Sequence, residues 1–248
     1  MPYVSGVLAN HFRKFSDLEV ALSDKATTTS GSTETTGPTT EIEIENAAST
    51  TKFKRKTTPK SLKHAKLQSR LKLLQAPDLD TTHIIECFAG QGTLSDIYKK
   101  KFQSQTLIEK NAKSIEHLKS KGYEPIHADN MKINYADIPY ASVLDLDAYS
   151  SPWPVLTKYL QEQSPPQYIA LTIGTFLNYK RSKDKPAWLK KHGYDNTIYD
   201  AKLTYHLNLS NVVKARLKKH FPNSTVLNIT HERNTLYLSA KINSAKVK

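Results

Sequence analysis

The chain has 248 residues, a single cysteine and a formal net charge of +13. This length suffices for one α/β domain with a sizeable core and a tail. One cysteine excludes an intramolecular disulfide and a cysteine zinc cluster, and the nine histidines show no metal-ligand spacing, so we expect no metal site. Apolar runs are too short for a transmembrane helix, and the N-terminus lacks a secretory pattern. We therefore expect no membrane association and an intracellular protein, the cytoplasm being favoured over the nucleus or an organelle.

Composition divides the chain into three regions. Residues 1–51 include a long stretch of Thr, Ser, Gly and Glu with few bulky apolar side chains, and we predict that they are largely disordered. Residues 52–77 form a basic segment without acids, which can be helical. Residues 78–248 carry the alternating apolar pattern of a folded domain.

The basic segment contains a candidate helix that begins after Pro59. Leu67, Leu71 and Leu74 would share one face, with the cations elsewhere. We expect this helix either to dock on the domain or to become ordered only on a polyanion.

From His83 onward, short apolar runs alternate with helical stretches, which is typical of a parallel sheet covered on both faces. A long helical pattern over residues 200–221 and a β-hairpin pattern follow. The sequence therefore predicts an α/β, Rossmann-like fold whose parallel sheet is closed by a C-terminal antiparallel hairpin, as in class I methyltransferases. The predicted strands are residues 83–88, 105–108, 124–128, 142–146, 168–173, 224–231 and 235–242.

A glycine-rich turn follows the first predicted strand. Gly90 and Gly92 allow a tight turn and close approach of a ligand to the backbone, and the next helix points its N-terminal amides into the same crevice. Acids end three successive strands in the neighbourhood of this turn. A carboxylate at Glu109 can accept from both ribose hydroxyls, and one at Asp129 can accept from an adenine amino group. The candidate cofactor-binding residues are Glu86, Ala89, Gly90, Gly92, Glu109, Asp129 and Asn130.

NAD is the competing ligand, but its fingerprint requires a third glycine where this chain has Ser95. The stretch from Glu86 to Asp129 instead resembles the first motifs of S-adenosylmethionine-dependent methyltransferases. That resemblance implies S-adenosyl-L-methionine as cofactor, with Glu86 near the methionine amino group, Glu109 on the ribose and Asp129 on the adenine.

The fourth strand ends in Asp-Leu-Asp-Ala-Tyr-Ser-Ser-Pro, residues 145–152. An acceptor amine must aim its lone pair at the sulfonium methyl group, and a carboxylate that accepts the hydrogens of the amine would hold it so. Asp147 has that position, and Tyr149 could stack on a base. Asp145 either supports Asp147 or caps the next turn. These three residues are the candidate catalytic group.

This string resembles the Asp-Leu-Asp-Pro-Phe/Tyr-Gly-Ser-Pro motif of tRNA guanine-N2 dimethyltransferases, from which Ala148 and Ser150 depart. It is more distantly similar to the Asp-Pro-Pro-Tyr motif of amino-group DNA methyltransferases. The resemblance implies transfer to an exocyclic base nitrogen. Cytosine C5 methylation is excluded, because the sole thiol, Cys87, lies within the first strand.

The positive charge predicts a polyanionic partner, with nucleic acid favoured over plain solubility charge. The resemblance to the tRNA enzymes implies RNA in preference to DNA. After the fifth strand, cations alternate with aromatic residues, as in a substrate-binding lid or in a surface helix with Trp188 and Leu189 buried. The candidate nucleic-acid contacts are Lys54, Arg55, Lys56, Lys63, Arg70, Tyr179, Lys180, Arg181 and Lys183. A protein methyltransferase and a non-catalytic nucleic-acid-binding subunit remain the alternatives, and the oligomeric state is open.

Overall fold

The computed structural model describes residues 60–148, 150–174 and 176–243, and it describes only the backbone of the helical residues 60–63 and 176–178. These residues belong to one compact unit. Among them, no helix is long and apolar enough to cross a membrane. The predictions for residues 1–51 and for Tyr149 fall outside the described residues, as do those for the side chains of Lys54, Arg55, Lys56 and Lys63.

The described strands form one sheet in the order β3-β2-β1-β4-β5-β7-β6. Strands β1 to β5 are parallel to their neighbours, and β7 is antiparallel to both β5 and β6. This topology confirms the predicted parallel sheet closed by a C-terminal antiparallel hairpin. The strands are β1 His83–Cys87, β2 Ser104–Glu109, β3 Ile126–His127, β4 Val143–Leu146, β5 Tyr168–Ile173, β6 Thr225–Glu232 and β7 Thr235–Lys241.

Helices connect most of these strands, and short 3-10 turns occur at Tyr135–Asp137 and Asn196–Ile198. The first helix precedes the sheet. The helices are α1 Lys60–Leu74, α2 Ser95–Tyr98, α3 Ala112–Ser120, α4 Trp153–Glu162, α5 Phe176–Arg181, α6 Lys185–Lys191 and α7 Tyr205–His220.

Successive residues of a strand point to opposite sides of the sheet, and in the central strands both sides are buried. Ile84 and Val143 face a cluster that includes leucines of α1 and Tyr98 of α2. Ile85 and Leu144 face the larger core, which includes side chains of α4 and α7. The sheet is therefore the middle layer of three.

The chain leaves β1 for β2 and β3 on one side, and later enters β4 and β5 on the other. The adjacent strands β1 and β4 thus flank the point where the strand order reverses. In open α/β sheets, ligands bind in the crevice outside the carboxyl ends of the strands at such a point. The glycine turn and the Asp147 motif both begin there.

Helix α1 docks on the sheet with a face that the leucine pattern did not predict. Leu67 and Leu71 are only half-buried, whereas Ser69, Arg70 and Leu73 are fully buried. Arg70 points inward because a buried carboxylate on β4 accepts its hydrogen bonds. Of the predicted leucine face only Leu74 is buried, while the helix itself forms where it was expected.

Candidate functional site

The turn after β1 takes the backbone through three left-handed residues, Phe88, Gly90 and Gly92, with φ of 63°, 57° and 75°. A β-carbon on Gly92 would lie 2.7 Å from Cδ2 of Leu118, so packing as well as conformation requires glycine there. A β-carbon on Gly90 would meet nothing closer than the Phe88 carbonyl oxygen at 3.9 Å. Gly90 therefore leaves open space beside the backbone, into which a ligand can fit.

Glu109, the last residue of β2, is bonded to this turn. Its Oε2 accepts from the backbone N–H of Gly90 at 2.8 Å, and its Oε1 accepts from that of Asn111 at 2.7 Å. Each carboxylate oxygen has two lone pairs, so Glu109 can still accept from a pair of ligand hydroxyls. The two strand ends that were predicted to share a ligand thus lie within hydrogen-bond distance of each other.

Ala89 contributes to the turn through its backbone. Its N–H donates to the Ile108 carbonyl at 3.2 Å, and its own carbonyl accepts from Gly92 at 3.0 Å. Its methyl group is buried against Leu107 and Leu118. Only the main chain of Ala89 is left to contact a cofactor.

Asp129 and Asn130 follow β3. Asp129 is partly exposed; its Oδ2 accepts from Lys110 at 2.7 Å and its Oδ1 from the N–H of Met131 at 3.0 Å. Asn130 is buried, and its Oδ1 has no hydrogen-bond partner among the described residues. Leaving a buried amide oxygen unpaired costs about 1–3 kcal/mol. The amino group of a bound adenine is a partner that would relieve this cost.

Glu86 is buried on β1, where its Oε2 accepts from the hydroxyl of Ser95 at 2.6 Å. Burial raises the pKa of Glu86 to about 8, even though the Ser95 hydrogen bond favours the carboxylate. Glu86 is therefore mostly protonated at neutral pH. Ser95 is the residue that departs from the NAD fingerprint, and its role in holding Glu86 was not predicted from the sequence.

Asp145 is fully buried, and both of its oxygens are occupied. Oδ1 accepts from Arg70 Nη2 at 2.6 Å, while Oδ2 accepts from Arg70 Nε at 3.1 Å and from the hydroxyl of Tyr98. Arg70 also donates to the Thr172 hydroxyl at 3.0 Å. Asp145 consequently cannot contact a substrate in this arrangement, and its place is that of a support beneath Asp147.

Asp147 is the first residue beyond β4, and its N–H donates to the Cys87 carbonyl of β1 at 3.3 Å. Its Oδ2 accepts from the ammonium of Lys66 on α1, and both side chains remain partly exposed. Oδ1 has no hydrogen-bond partner in the part of the chain that the structure describes. Asp147 thus lies at the strand junction beside the glycine turn with one oxygen available to a ligand.

Ala148 and Ser150, which follow Asp147, pack against or bond to the sheet region. Ala148 is buried, and the Ser150 carbonyl accepts from the N–H of Gly174, just after β5, at 3.0 Å. Cys87 is also buried, 3.6 Å from the hydroxyl of Tyr135, and burial raises the pKa of its thiol to about 12. Such a thiol is unsuited to nucleophilic attack.

Two predicted nucleic-acid contacts are wrong. Arg70 is only 1% exposed, and its guanidinium is committed to Asp145, so it cannot reach a phosphate. Tyr179 is likewise 1% exposed and packs edge-on against Trp188, with ring centroids 5.2 Å apart. A base cannot stack on it without disrupting the core.

The other cations of that segment are on the surface. Lys180, Arg181 and Lys183 are exposed, while Trp188 and Leu189 of α6 are buried. This is the surface-helix alternative for the packing of α6. It leaves the three cations accessible to a polyanion.

Lys66 is the other residue whose role was not predicted from the sequence. A signal was present, because Lys66 and Arg70 are four residues apart and share a helix face, while Asp145 and Asp147 are two apart and share a strand face. The two cations on the helix face could therefore pair with the two acids on the strand face. The described residues hold no group of three or more His, Cys, Asp or Glu arranged to bind a metal ion.

No protein-family model and no curated protein matches this chain. It is similar to the structure of an N-methyltransferase, NodS, from Bradyrhizobium japonicum, with a TM-score of 0.44 and 8% identity over 71% of this chain and 94% of that one. It is also similar to a ribosomal protein methylase from Lactobacillus delbrueckii, with a TM-score of 0.45 and 9% identity over 72% of this chain and 79% of that one. A third similar structure is an S-adenosylmethionine-dependent methyltransferase from Clostridium acetobutylicum, with a TM-score of 0.46 and 8% identity over 73% of this chain and 92% of that one.

Proposed function

We propose that this protein is an S-adenosylmethionine-dependent methyltransferase that acts on nucleic acid, RNA in preference to DNA, at an exocyclic base nitrogen. The observation that carries the proposal is the meeting of three strand ends. Glu109 is bonded to the turn at Gly90, and Asp147 is bonded to the end of β1 through Cys87. A cofactor bound at the turn would therefore be adjacent to an amine held by Asp147.

The residues at the turn suit the proposed cofactor. Buried Glu86 can pair with the methionine ammonium, Glu109 can accept from the ribose hydroxyls, and Asp129 and Asn130 can accept from the adenine amino group. Ser95, whose hydroxyl donates to Glu86, occupies the place of the third glycine of the NAD fingerprint, which disfavours a dinucleotide. When bound, S-adenosylmethionine supplies an electrophilic methyl group on a sulfonium.

Asp147 performs the acceptor role. Its free Oδ1 accepts a hydrogen bond from the target amine, which aims the nitrogen lone pair at the methyl carbon. S-adenosylmethionine would supply the methyl group and leave as S-adenosylhomocysteine when its carbon–sulfur bond breaks, and the Asp147 carboxylate would take up the proton that the nitrogen loses. Asp145, Arg70 and Tyr98 hold the end of β4 rigid beneath it.

Nucleic acid is favoured over protein as substrate by charge. The chain carries +13, and Lys180, Arg181 and Lys183 are exposed beyond the end of β5. The basic residues 52–59, outside the described residues, precede α1 in the chain. The exposed cations beyond β5 can neutralise phosphates next to a target base.

The test is nucleoside analysis. RNA and DNA from cells with and without the protein are digested, and modified nucleosides are quantified by mass spectrometry, alongside calorimetry with S-adenosylhomocysteine and NAD. We expect S-adenosylhomocysteine binding and loss of one N-methylated nucleoside without the protein. Binding of NAD alone would overturn the cofactor assignment. Binding of S-adenosylhomocysteine and nucleic acid, without methyl transfer to RNA, DNA or protein, would indicate the non-catalytic subunit.

A further inference from the structure

Two cations on the inward face of α1 oppose two acids at the end of β4, but the two pairs differ in character. Arg70 is fully buried and has four hydrogen-bond acceptors, provided by Asp145, Thr172 and Leu171. Lys66 is 23% exposed at its side chain, and its one hydrogen-bond partner among the described residues is Asp147. The Arg70 pair is a fixed structural element, whereas the Lys66 pair can exchange.

Lys66 also lies close to the cofactor side of the site. Its charge acts on buried Glu86, as do those of Asp145 and Asp147. Burial alone lowers the pKa of Lys66, but attraction to Asp147 outweighs this and leaves the pKa raised, so the ammonium is charged. Lys66 is therefore bonded to the acid proposed for the target amine, and it is near enough to act electrostatically on the acid proposed for the methionine ammonium.

The charges of this cluster balance when it is empty of ligand. Protonated Glu86 is neutral, and the two aspartates offset Lys66 and Arg70. A methionine group adds one ammonium and one carboxylate. Ionisation of Glu86 can match the ammonium, but the carboxylate also needs a cation, because an unpaired charge in a site of low dielectric is costly.

Among the described cations close to the strand ends, Lys66 is the one that fits. Arg70 is committed to Asp145, Lys110 pairs with Asp129 after β3, and Lys121 pairs with Asp96 on α2. A lysine ammonium has three rotatable donors on a flexible stem, so it can move between carboxylates.

We propose that Lys66 binds the carboxylate of the cofactor's methionine group, releasing Asp147 to accept the target amine. This rests on the proposed function. It makes the order of binding a consequence of the fold: without cofactor, Lys66 holds Asp147, and with cofactor, Asp147 becomes available. Helix α1 is then part of the cofactor site.

The experiment measures calorimetric affinities for S-adenosylmethionine and for its decarboxylated form, which retains the ammonium and lacks the carboxylate. The wild type is expected to prefer the complete cofactor by about tenfold to a hundredfold, the size of one charge-assisted hydrogen bond. Lys66→Met should lose this preference while keeping its affinity for the decarboxylated form, and Lys66→Arg should retain most of it. Lys72→Met, at an exposed cation of the same helix, is the matched control and should behave as wild type.

Two outcomes overturn the proposal. If Lys66→Met retains the wild-type preference, another residue binds the carboxylate. If it weakens both ligands equally, Lys66 only supports the shape of the site. In both cases the wild type still binds the cofactor, so the proposed function survives. If the wild type binds neither ligand, the proposed function itself fails, and this proposal with it.

Discussion

The hydroxyl of Ser95, at the start of α2, donates to the buried carboxyl of Glu86 on β1 across 2.6 Å. The hydrogen bond favours the carboxylate, but burial outweighs it and raises the pKa of Glu86 to about 8. Glu86 is thus kept protonated at neutral pH beside the open turn at Gly90. A cationic ligand group would reverse that state, because an opposite charge favours the carboxylate.

The raised pKa of Glu86 predicts a specific dependence of stability on pH. In the unfolded chain its pKa is near the ordinary 4.5, and in the folded protein it is about 8, so the folded state binds the extra proton between these values. The contribution of Glu86 to stability must therefore fall as pH rises from about 4.5 to about 8, by on the order of a few kcal/mol. Glu86→Gln cannot titrate and should escape this loss.

Urea unfolding of both proteins at pH 5, 7 and 9 measures the effect. The difference in unfolding free energy between Glu86→Gln and wild type should shift in favour of the variant as pH rises. Curves that stay parallel over this range would show that Glu86 is not perturbed in the folded state.

The two glycines of the turn should respond differently to alanine. Both adopt left-handed φ, which costs an L-residue about 1–2 kcal/mol, but only Gly92→Ala would also clash with Leu118. Overpacking should make Gly92→Ala less stable than Gly90→Ala by about 1–3 kcal/mol. In a Leu118→Ala background this difference should shrink, since the clashing methyl group is gone. An unchanged difference in that double-mutant cycle would assign the cost to the backbone instead.

The buried pair of Arg70 and Asp145 should be structural. Arg70→Met strands a buried carboxylate and should destabilise the fold by about 3–5 kcal/mol, whereas Arg70→Met combined with Asp145→Leu should recover much of that loss. Thermal unfolding checks the order. If Arg70→Met keeps the wild-type stability and binds nucleic acid less tightly, Arg70 contacts phosphate after all.

The exposed cations after β5 should contribute to nucleic-acid affinity by neutralising phosphates. Replacing Lys180, Arg181 and Lys183 by alanine should lower the salt dependence of binding, by roughly 0.7–0.9 in log–log slope for each phosphate that is no longer neutralised. The matched control replaces Lys99, Lys100 and Lys101, three exposed cations at the end of α2. Fluorescence anisotropy over a salt series gives both slopes. Equal effects of the two triple variants would mean that only net charge matters.

The sheet and the turn could be predicted because their signals are local. Short apolar runs mark the strands, and Gly90 and Glu109 mark strand ends that a parallel sheet brings together. Strand β3 shrinks to Ile126–His127, both exposed at the sheet edge, so the longer run predicted there had no second neighbour to pair with. Asp147 was placed correctly beside the turn for the same reason: parallel strands end at one edge.

The pairing of helix α1 with β4 could not be predicted from leucine spacing. Its inward face is decided by Asp145 and Asp147, about eighty residues away, whose charges need Arg70 and Lys66. The predicted nucleic-acid contact of Tyr179 was wrong for a similar reason. Its neighbouring cations indicated a binding surface, whereas tertiary packing against Trp188 buries its ring.

The most direct test of the account concerns Asp147. Single-turnover assays with labelled S-adenosylmethionine measure methyl transfer to total RNA and genomic DNA by wild type, Asp147→Ala and Asp147→Asn, with S-adenosylhomocysteine affinity measured in parallel. We predict that Asp147→Ala binds S-adenosylhomocysteine no more weakly than wild type and transfers methyl groups about a hundredfold more slowly or worse, because the amine loses its alignment. Asp147→Asn should recover only part of the rate. Wild-type rates in both variants would contradict the account, since Asp147 would then be a turn residue and the acceptor site would lie elsewhere.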